Sequence, residues 1–356
     1  MAPSGGVIAL PPMARIGVLT GGGDCPGLNA VIRAVVRKGL LDGHTLFGYT
    51  YGWAGVLNGE GEELTAERTK GILPRGGTIL GSSRTNPFKE GGSGVDGVLE
   101  GMARQGVDVL VAIGGEDTLG VAARLADAGV PIVGVPKTID NDLKGTDYTF
   151  GFQTAVQIAT DAVDRLHTTA ESHNRVMILE VMGRHAGFIA AHAGMAGGGD
   201  VILVPERPFD IEEVCNHIRR RHANGRTFSI VVVSEGATPR EGTLSTTGGG
   251  QLDAFGHARL GGIAVMLERE IEERTGYETR MTILGHVQRG GTPTAFDRVL
   301  ATRFGVAAAE AVNAGHSGVM VAARGGDIVE VPISEALGDP KTLDEKFFAD
   351  AAVFFG

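Results

Sequence analysis

The sequence predicts an α/β protein built as two doubly wound, Rossmann-like lobes with mainly parallel sheets. Short apolar runs alternate with amphipathic stretches along most of the chain, and Gly-rich turns carrying acids or bases follow those runs. A length of 356 residues suits about two domains of ~100 to 200 residues each. Strands are expected near Ile16, Thr45, Val109, Ile132, Val176, Val201, Ser229, Met281 and Val319, where β-branched and other apolar residues cluster between turn signals. Apolar residues at helical spacing predict helices over 28–41, 119–128, 153–169 and 294–314. The polar stretch 239–256, which contains GGG, reads as a surface loop. Residues 1–13 lack a basic n-region and read as a flexible extension outside the fold.

Composition excludes several classes. A formal net charge of −10 argues against a general polyanion binder such as a nucleic-acid protein, yet leaves room for a local basic pocket that collects phosphates. No apolar run approaches membrane-spanning length. Cys25 and Cys215 lie far apart and form no CxxC, so neither a disulfide framework nor a zinc knuckle is suggested, and a reducing cytoplasm is the simplest compartment.

Three turns concentrate the chemistry. GGGDCPG, 21–27, stands between a strand and a helix whose free amide groups face back toward the loop, which makes Gly22 and Gly23 phosphate-contact candidates; plain turn chemistry is the equal alternative. GGEDT, 114–118, offers adjacent acids after a buried run, and Glu116 is the candidate ligand for a hard divalent cation, although acids and Thr also suit a helix N-terminus. PKTIDND, 136–142, places Asp140 and Asp142 at i and i+2, on one side of an extended segment, with Lys137 and Thr138 able to face a phosphate. One carboxylate there suits a general base, the other a metal or cation partner, and Lys137 suits charge neutralisation in the transferring group; an Asp/Asn-rich turn is the alternative. Downstream, Arg175, Arg184, Arg280, His286 and Arg289 recur at strand ends and together suit a clamp on a sugar phosphate. Taken singly, each also fits a surface ion pair.

The combination GGGDCPG, GGTILGSSR, GGEDT, PKTIDND, SHNR, MGR, SEG and GHVQRGG resembles the bacterial phosphofructokinase family, in its pyrophosphate-dependent or mixed-substrate actinobacterial-like branch, from Ile16 to at least Pro293. The resemblance implies Mg²⁺-assisted transfer of a phosphoryl group to the 1-hydroxyl of fructose 6-phosphate. It gives Asp140 the role of base and Asp142 that of its metal-linked companion, with Lys137 and Arg184 also catalytic. Thr138, Arg175, Met182, Gly183, Glu235, Arg280, His286 and Arg289 match sugar-phosphate positions, Arg175 and Arg280 reaching in from a neighbouring subunit of a homodimer or homotetramer. Gly22, Gly23, Arg84, Asp117 and Thr118 match phosphoryl-donor positions and Glu116 the metal position. The implied lobes are 14–151 plus 288–338 for the donor and 152–287 plus 339–356 for the sugar phosphate, with the site in the cleft between them.

Two positions speak to the donor. ATP-using relatives commonly carry Gly where this chain has Asp117, whose carboxylate would fill the space of an α-phosphate and repel it. They often carry Gly also at Lys137, where pyrophosphate-dependent members resemble this chain. Pyrophosphate is therefore the expected donor and ATP the alternative. Of the effector-site bases in bacterial ATP enzymes, Arg33, Arg37 and Arg226 fit, whereas His167 and Asn224 depart from the pattern, which disfavours strong effector regulation. GGEDT also resembles a loop of lipid and NAD kinases, and a silent sugar-phosphate sensor is a further rival. PKTIDND and GHVQRGG argue against the first, and retention of Asp140, Asp142 and Arg184 against the second.

Overall fold

The computed structural model describes residues 6–243 and 262–353. Within them the chain divides into two compact units, one of residues 1–154 and 289–340, the other of 155–288 and 341–356. Most of the expected loop at 239–256 lies outside the described residues.

The first unit contains β1 (Gly6–Val7), β2 (Arg15–Thr20), α1 (Leu28–Leu41), β3 (Thr45–Tyr49), α2 (Trp53–Asn58), β4 (Gly61–Glu63), α3 (Gly94–Arg104), β5 (Val109–Gly114), α4 (Glu116–Asp127) and β6 (Ile132–Pro136). Helix α5 (Phe152–His173) leads into the second unit, with β7 (Val176–Val181), α6 (Phe188–Ala196), β8 (Val201–Leu203), α7 (Ile211–Ala223), β9 (Ser229–Ser234), α8 (Ile263–Thr275) and β10 (Thr279–Ile283). The chain returns to the first unit through α9 (Ala295–Asn313), β11 (His316–Ser317), β12 (Val319–Arg324) and β13 (Asp327–Pro332), and ends in the second with α10 (Glu345–Ala352).

The large sheet runs β13-β12-β6-β5-β2-β3-β4. Its five central strands are parallel and both edge strands antiparallel. A parallel sheet covered on both faces has no wet side, which is why β5 (VLVAIG) is apolar from end to end and wholly buried. The order reverses between β2 and β5, because the chain winds from β2 outward to β3 and then returns to β5 on the other flank. Ligands settle beyond the carboxyl ends at such a switch point. GGGDCPG follows β2 and GGEDT follows β5. Helices α1 and α9 pack closely because Gly305 brings their backbones together; a Cβ there would meet Val31 O at 2.6 Å.

The second sheet, β10-β7-β9-β8, is entirely parallel. Its core gathers Val176, Ile178, Val231 and Val233 from the strands with Ile211, Ile218, Leu267 and Ile271 from α7 and α8. Three residues of the expected N-terminal extension enter the fold: Gly6 and Val7 pair antiparallel with Ser317 and His316, and Ile8 N donates to Gly315 O at 2.8 Å. No signal in so short a polar-to-apolar stretch reveals a partner more than 300 residues away.

Candidate active site

In the first unit the three turns converge on one lysine. Lys137 directly follows β6 and is only 4% exposed. Its amide donates to Gly114 O at 2.9 Å, linking it to the GGEDT turn, and its ammonium donates to Gly23 O in the Gly-rich loop. Gly22 has φ +77°, a left-handed conformation, and a Cβ on it would lie 3.6 Å from Lys137 Nζ. The same loop is tied to GGTILGSSR, since Gly22 N donates to Ser83 O at 3.1 Å and Ser82 Oγ donates to Gly22 O at 2.5 Å. That bond pair brings the segment bearing Arg84, an exposed residue, to the loop.

Arg289, grouped by sequence with the sugar-phosphate bases, lies at this loop as well. Its Nη1 donates to Asp24 O at 3.4 Å, and a Cβ on Gly23 would come within 2.7 Å of it. Burial lowers the pKa of Lys137, with Arg289 adding to the fall, while Cys25, Asp24 and Asp140 oppose it. A lysine kept this dry and close to a second cation is poised for an anion. Cys25 lies buried beneath, its thiol donating to Phe150 O at 3.6 Å and pushed up to about 12 by burial, so it serves as packing.

GGEDT ends β5 and opens α4, with Glu116 and Asp117 exposed in the first turn of the helix at the carboxyl end of β5. The acids thus meet the helix dipole at an exposed position. Thr118 is placed differently from its expected donor contact: it is 3% exposed, its side chain filling the space left by Gly21 and Gly114. Among the described residues no group of three or more His, Cys, Asp or Glu gathers into a metal cage. The donor set nonetheless fits Mg²⁺, which takes one or two carboxylate oxygens and completes its shell with water and phosphate.

The expectation that Asp140 and Asp142 share one side of an extended segment does not hold. The backbone bends at Ile139 and Asp140, and Asn141 is left-handed at φ +54°. Buried Asn141 enforces the bend: its Oδ1 accepts from Thr149 N at 3.0 Å and its Nδ2 donates to Asp147 O at 3.3 Å. Thr138 Oγ1 accepts from Asp140 N at 3.1 Å, and Thr149 Oγ1 donates to Thr138 O at 2.7 Å. Asp140 and Asp142 both remain partly accessible.

In the second unit Met182, Gly183 and Arg184 follow β7, and Glu235 follows β9, its neighbour in the sheet. Gly183 has φ +137° and its carbonyl accepts from Ser234 Oγ at 2.6 Å and Gly236 N at 3.1 Å, which locks the two strand ends together. Met182 N donates to Gln288 Oε1 at 3.2 Å, holding the 3-10 turn Gly285–Arg289 that carries exposed His286. Buried Glu180 accepts from Ala264 N at 3.0 Å and so fixes the start of α8; burial raises its pKa.

Arg175 and Arg280 are elsewhere. Arg175 immediately precedes β7, and Arg280 pairs with Met177 near the start of that strand. Both contact Glu278 at 2.7 Å. At ~3.3 Å per residue, β7 separates them from Met182–Arg184 by roughly 20 Å. Within one chain, then, the basic residues split between opposite ends of a sheet. Of the expected effector bases, Arg37 donates to Ala66 O at 3.1 Å, and the ring of His167, which departs from that pattern, meets Gly197 O at 2.7 Å.

Comparison with known proteins decides the family. The phosphofructokinase family model matches residues 15–312. The chain belongs to the phosphofructokinase family. It is 60% identical over 343 residues to a pyrophosphate–fructose 6-phosphate 1-phosphotransferase of Amycolatopsis methanolica, covering 96% of this chain and 100% of the relative. An ATP-dependent 6-phosphofructokinase of Corynebacterium efficiens is 53% identical over 344 residues, covering 96% and 99%. The phosphofructokinase structure from Saccharomyces cerevisiae superimposes with a TM-score of 0.78 at 32% identity over 91% of this chain; this phosphofructokinase spans 45% of that longer one.

Proposed function

We propose that the protein is a pyrophosphate-dependent 6-phosphofructokinase, a reversible phosphotransferase making fructose 1,6-bisphosphate from fructose 6-phosphate. The observation that carries this is the dry ammonium of Lys137 inside the Gly-rich loop, with Asp117 on the adjacent helix turn. A lysine so held neutralises charge on a compact inorganic donor, while the Asp117 carboxylate occupies and repels the place of a nucleotide's further phosphate. The 60% identity to pyrophosphate enzymes, against 53% to an ATP enzyme, supports the same donor.

Each residue then has a task. Asp140 accepts the proton of the sugar's 1-hydroxyl, and Thr138 holds the bend that aims it. Gly22, Gly23, Lys137 and Arg84 bind the donor, with Arg289 beside them, while Thr118 acts by supporting the loop. Glu116 and Asp142 would hold Mg²⁺, which supplies charge neutralisation on phosphate oxygens. Met182, Gly183, Arg184, Glu235 and His286 hold the sugar phosphate. Arg175 and Arg280, at the far end of the sheet, serve the site of a second copy, so the working enzyme is a homo-oligomer with shared sites. A reverse reaction tests the reading: fructose 1,6-bisphosphate with inorganic phosphate and Mg²⁺ yields pyrophosphate and fructose 6-phosphate. An enzyme that runs in reverse only with ADP overturns it.

A further inference from the structure

Asp297 is fully buried in the first turn of α9, and no step above uses it. Its Oδ2 accepts from Thr154 N at 2.7 Å and from Thr154 Oγ1 at 2.5 Å. Thr154 Oγ1 in turn accepts from Thr294 N at 3.0 Å, and Thr294 caps α9 by accepting from Asp297 N. A single carboxylate therefore joins the N-terminal turns of α5 and α9, where both helix dipoles favour it.

The two segments it joins lead to the two cations of the donor loop. Thr154 lies four residues beyond Phe150, which bridges Lys137 in parallel register, and Phe150 also packs edge-on against Phe304 of α9 with ring centroids 6.3 Å apart. Thr294 lies five residues beyond Arg289, across the GGTP turn. Lys137 and Arg289 meet the adjacent carbonyls of Gly23 and Asp24. We infer that Asp297 is a positioning residue that holds Lys137 and Arg289 in mutual register at the phosphoryl-donor loop. This rests on the donor reading given above.

The test compares Asp297→Asn, Thr154→Val, Thr154→Ser and, as a control for general loosening, Val312→Ala, a buried change in the same helix. Asp297→Asn keeps shape and removes charge, and a displacement of about 1 Å at its targets is worth about 10²-fold. Expected is a fall of that order in kcat/KM for pyrophosphate, with a similar but smaller loss in Thr154→Val, near wild-type rates in Thr154→Ser and non-additivity in the Asp297→Asn, Thr154→Val double variant. Val312→Ala lowers Tm without raising the KM for pyrophosphate. Wild-type kinetics in Asp297→Asn, full additivity, or an equal rise in KM in Val312→Ala would overturn the inference. Wild-type enzyme that uses ATP but not pyrophosphate refutes the donor reading instead, and the same variants are then judged on the KM for ATP.

Discussion

On the proposed reading, the two units solve the problem of binding phosphate in different ways. In the first, the Gly-rich loop, Lys137, Arg289 and the PKTIDND bend are wired together within one chain by buried groups, Asn141 and Asp297 among them. In the second, the bases stand at opposite ends of one sheet, Arg184 beyond the end of β7 and Arg175 with Arg280 at its start. A parallel sheet exposes one carboxyl end per chain, so on the proposed reading a clamp using both sets borrows from another copy. Donor binding should accordingly be a property of the chain, and sugar-phosphate binding a property of the assembly.

The largest effect should come from removing the base. Asp140→Ser is expected to lower kcat by ~10² to 10⁴-fold with fructose 6-phosphate binding retained, as measured by calorimetry beside steady-state rates; unchanged turnover would take Asp140 out of the mechanism. Lys137→Met should cost ~10² to 10³-fold in kcat/KM for pyrophosphate. Arg175→Ala should raise the KM for fructose 6-phosphate by ~10 to 10²-fold, the range for a hydrogen bond to a charged group. Mixing unfolded Arg175→Ala and Asp140→Ser chains and refolding them together sharpens the contrast, because hybrids regain intact sites if the sites are shared and stay inactive if each chain is self-sufficient.

The smallest effect is protonic. Lys137 has its folded pKa lowered by burial, so between that value and the unfolded ~10.4 the unfolded chain binds more protons, and stability rises with pH across that window. An anion at Nζ reverses the shift. Pyrophosphate binding in that window should therefore draw in a proton, read as a binding enthalpy that varies with the buffer's ionisation enthalpy. The difference should vanish in Lys137→Met.

Sequence periodicity revealed α1, α4, α5 and α9, with α1 spanning 28–41 as expected, and all nine expected strands are present, but it left α3, α7, α8 and α10 unassigned. It missed α6, whose FIAAHAGMA is apolar all round and so has no stripe to detect, and α2, which is only six residues long. It missed β13 because an edge strand reading DIVEVP looks like turn and charge. In the site, local motifs named the residues near the donor loop, yet an i, i+2 rule failed at Asp140 and Asp142 because Asn141, through bonds to residues 147 and 149, turns the backbone over. Asp297, Gln288 and Ser234 were invisible as site residues: each acts through backbone groups distant in sequence, and nothing in residue type announces that.

Initial rates of the purified protein with fructose 6-phosphate and Mg²⁺, comparing pyrophosphate with ATP as sole donor, test the central claim most directly. The account predicts turnover with pyrophosphate and little or none with ATP, and a gain of ATP turnover in Asp117→Gly. Turnover of the wild-type enzyme with ATP alone would contradict it, showing that the Asp117 carboxylate does not bar a nucleotide.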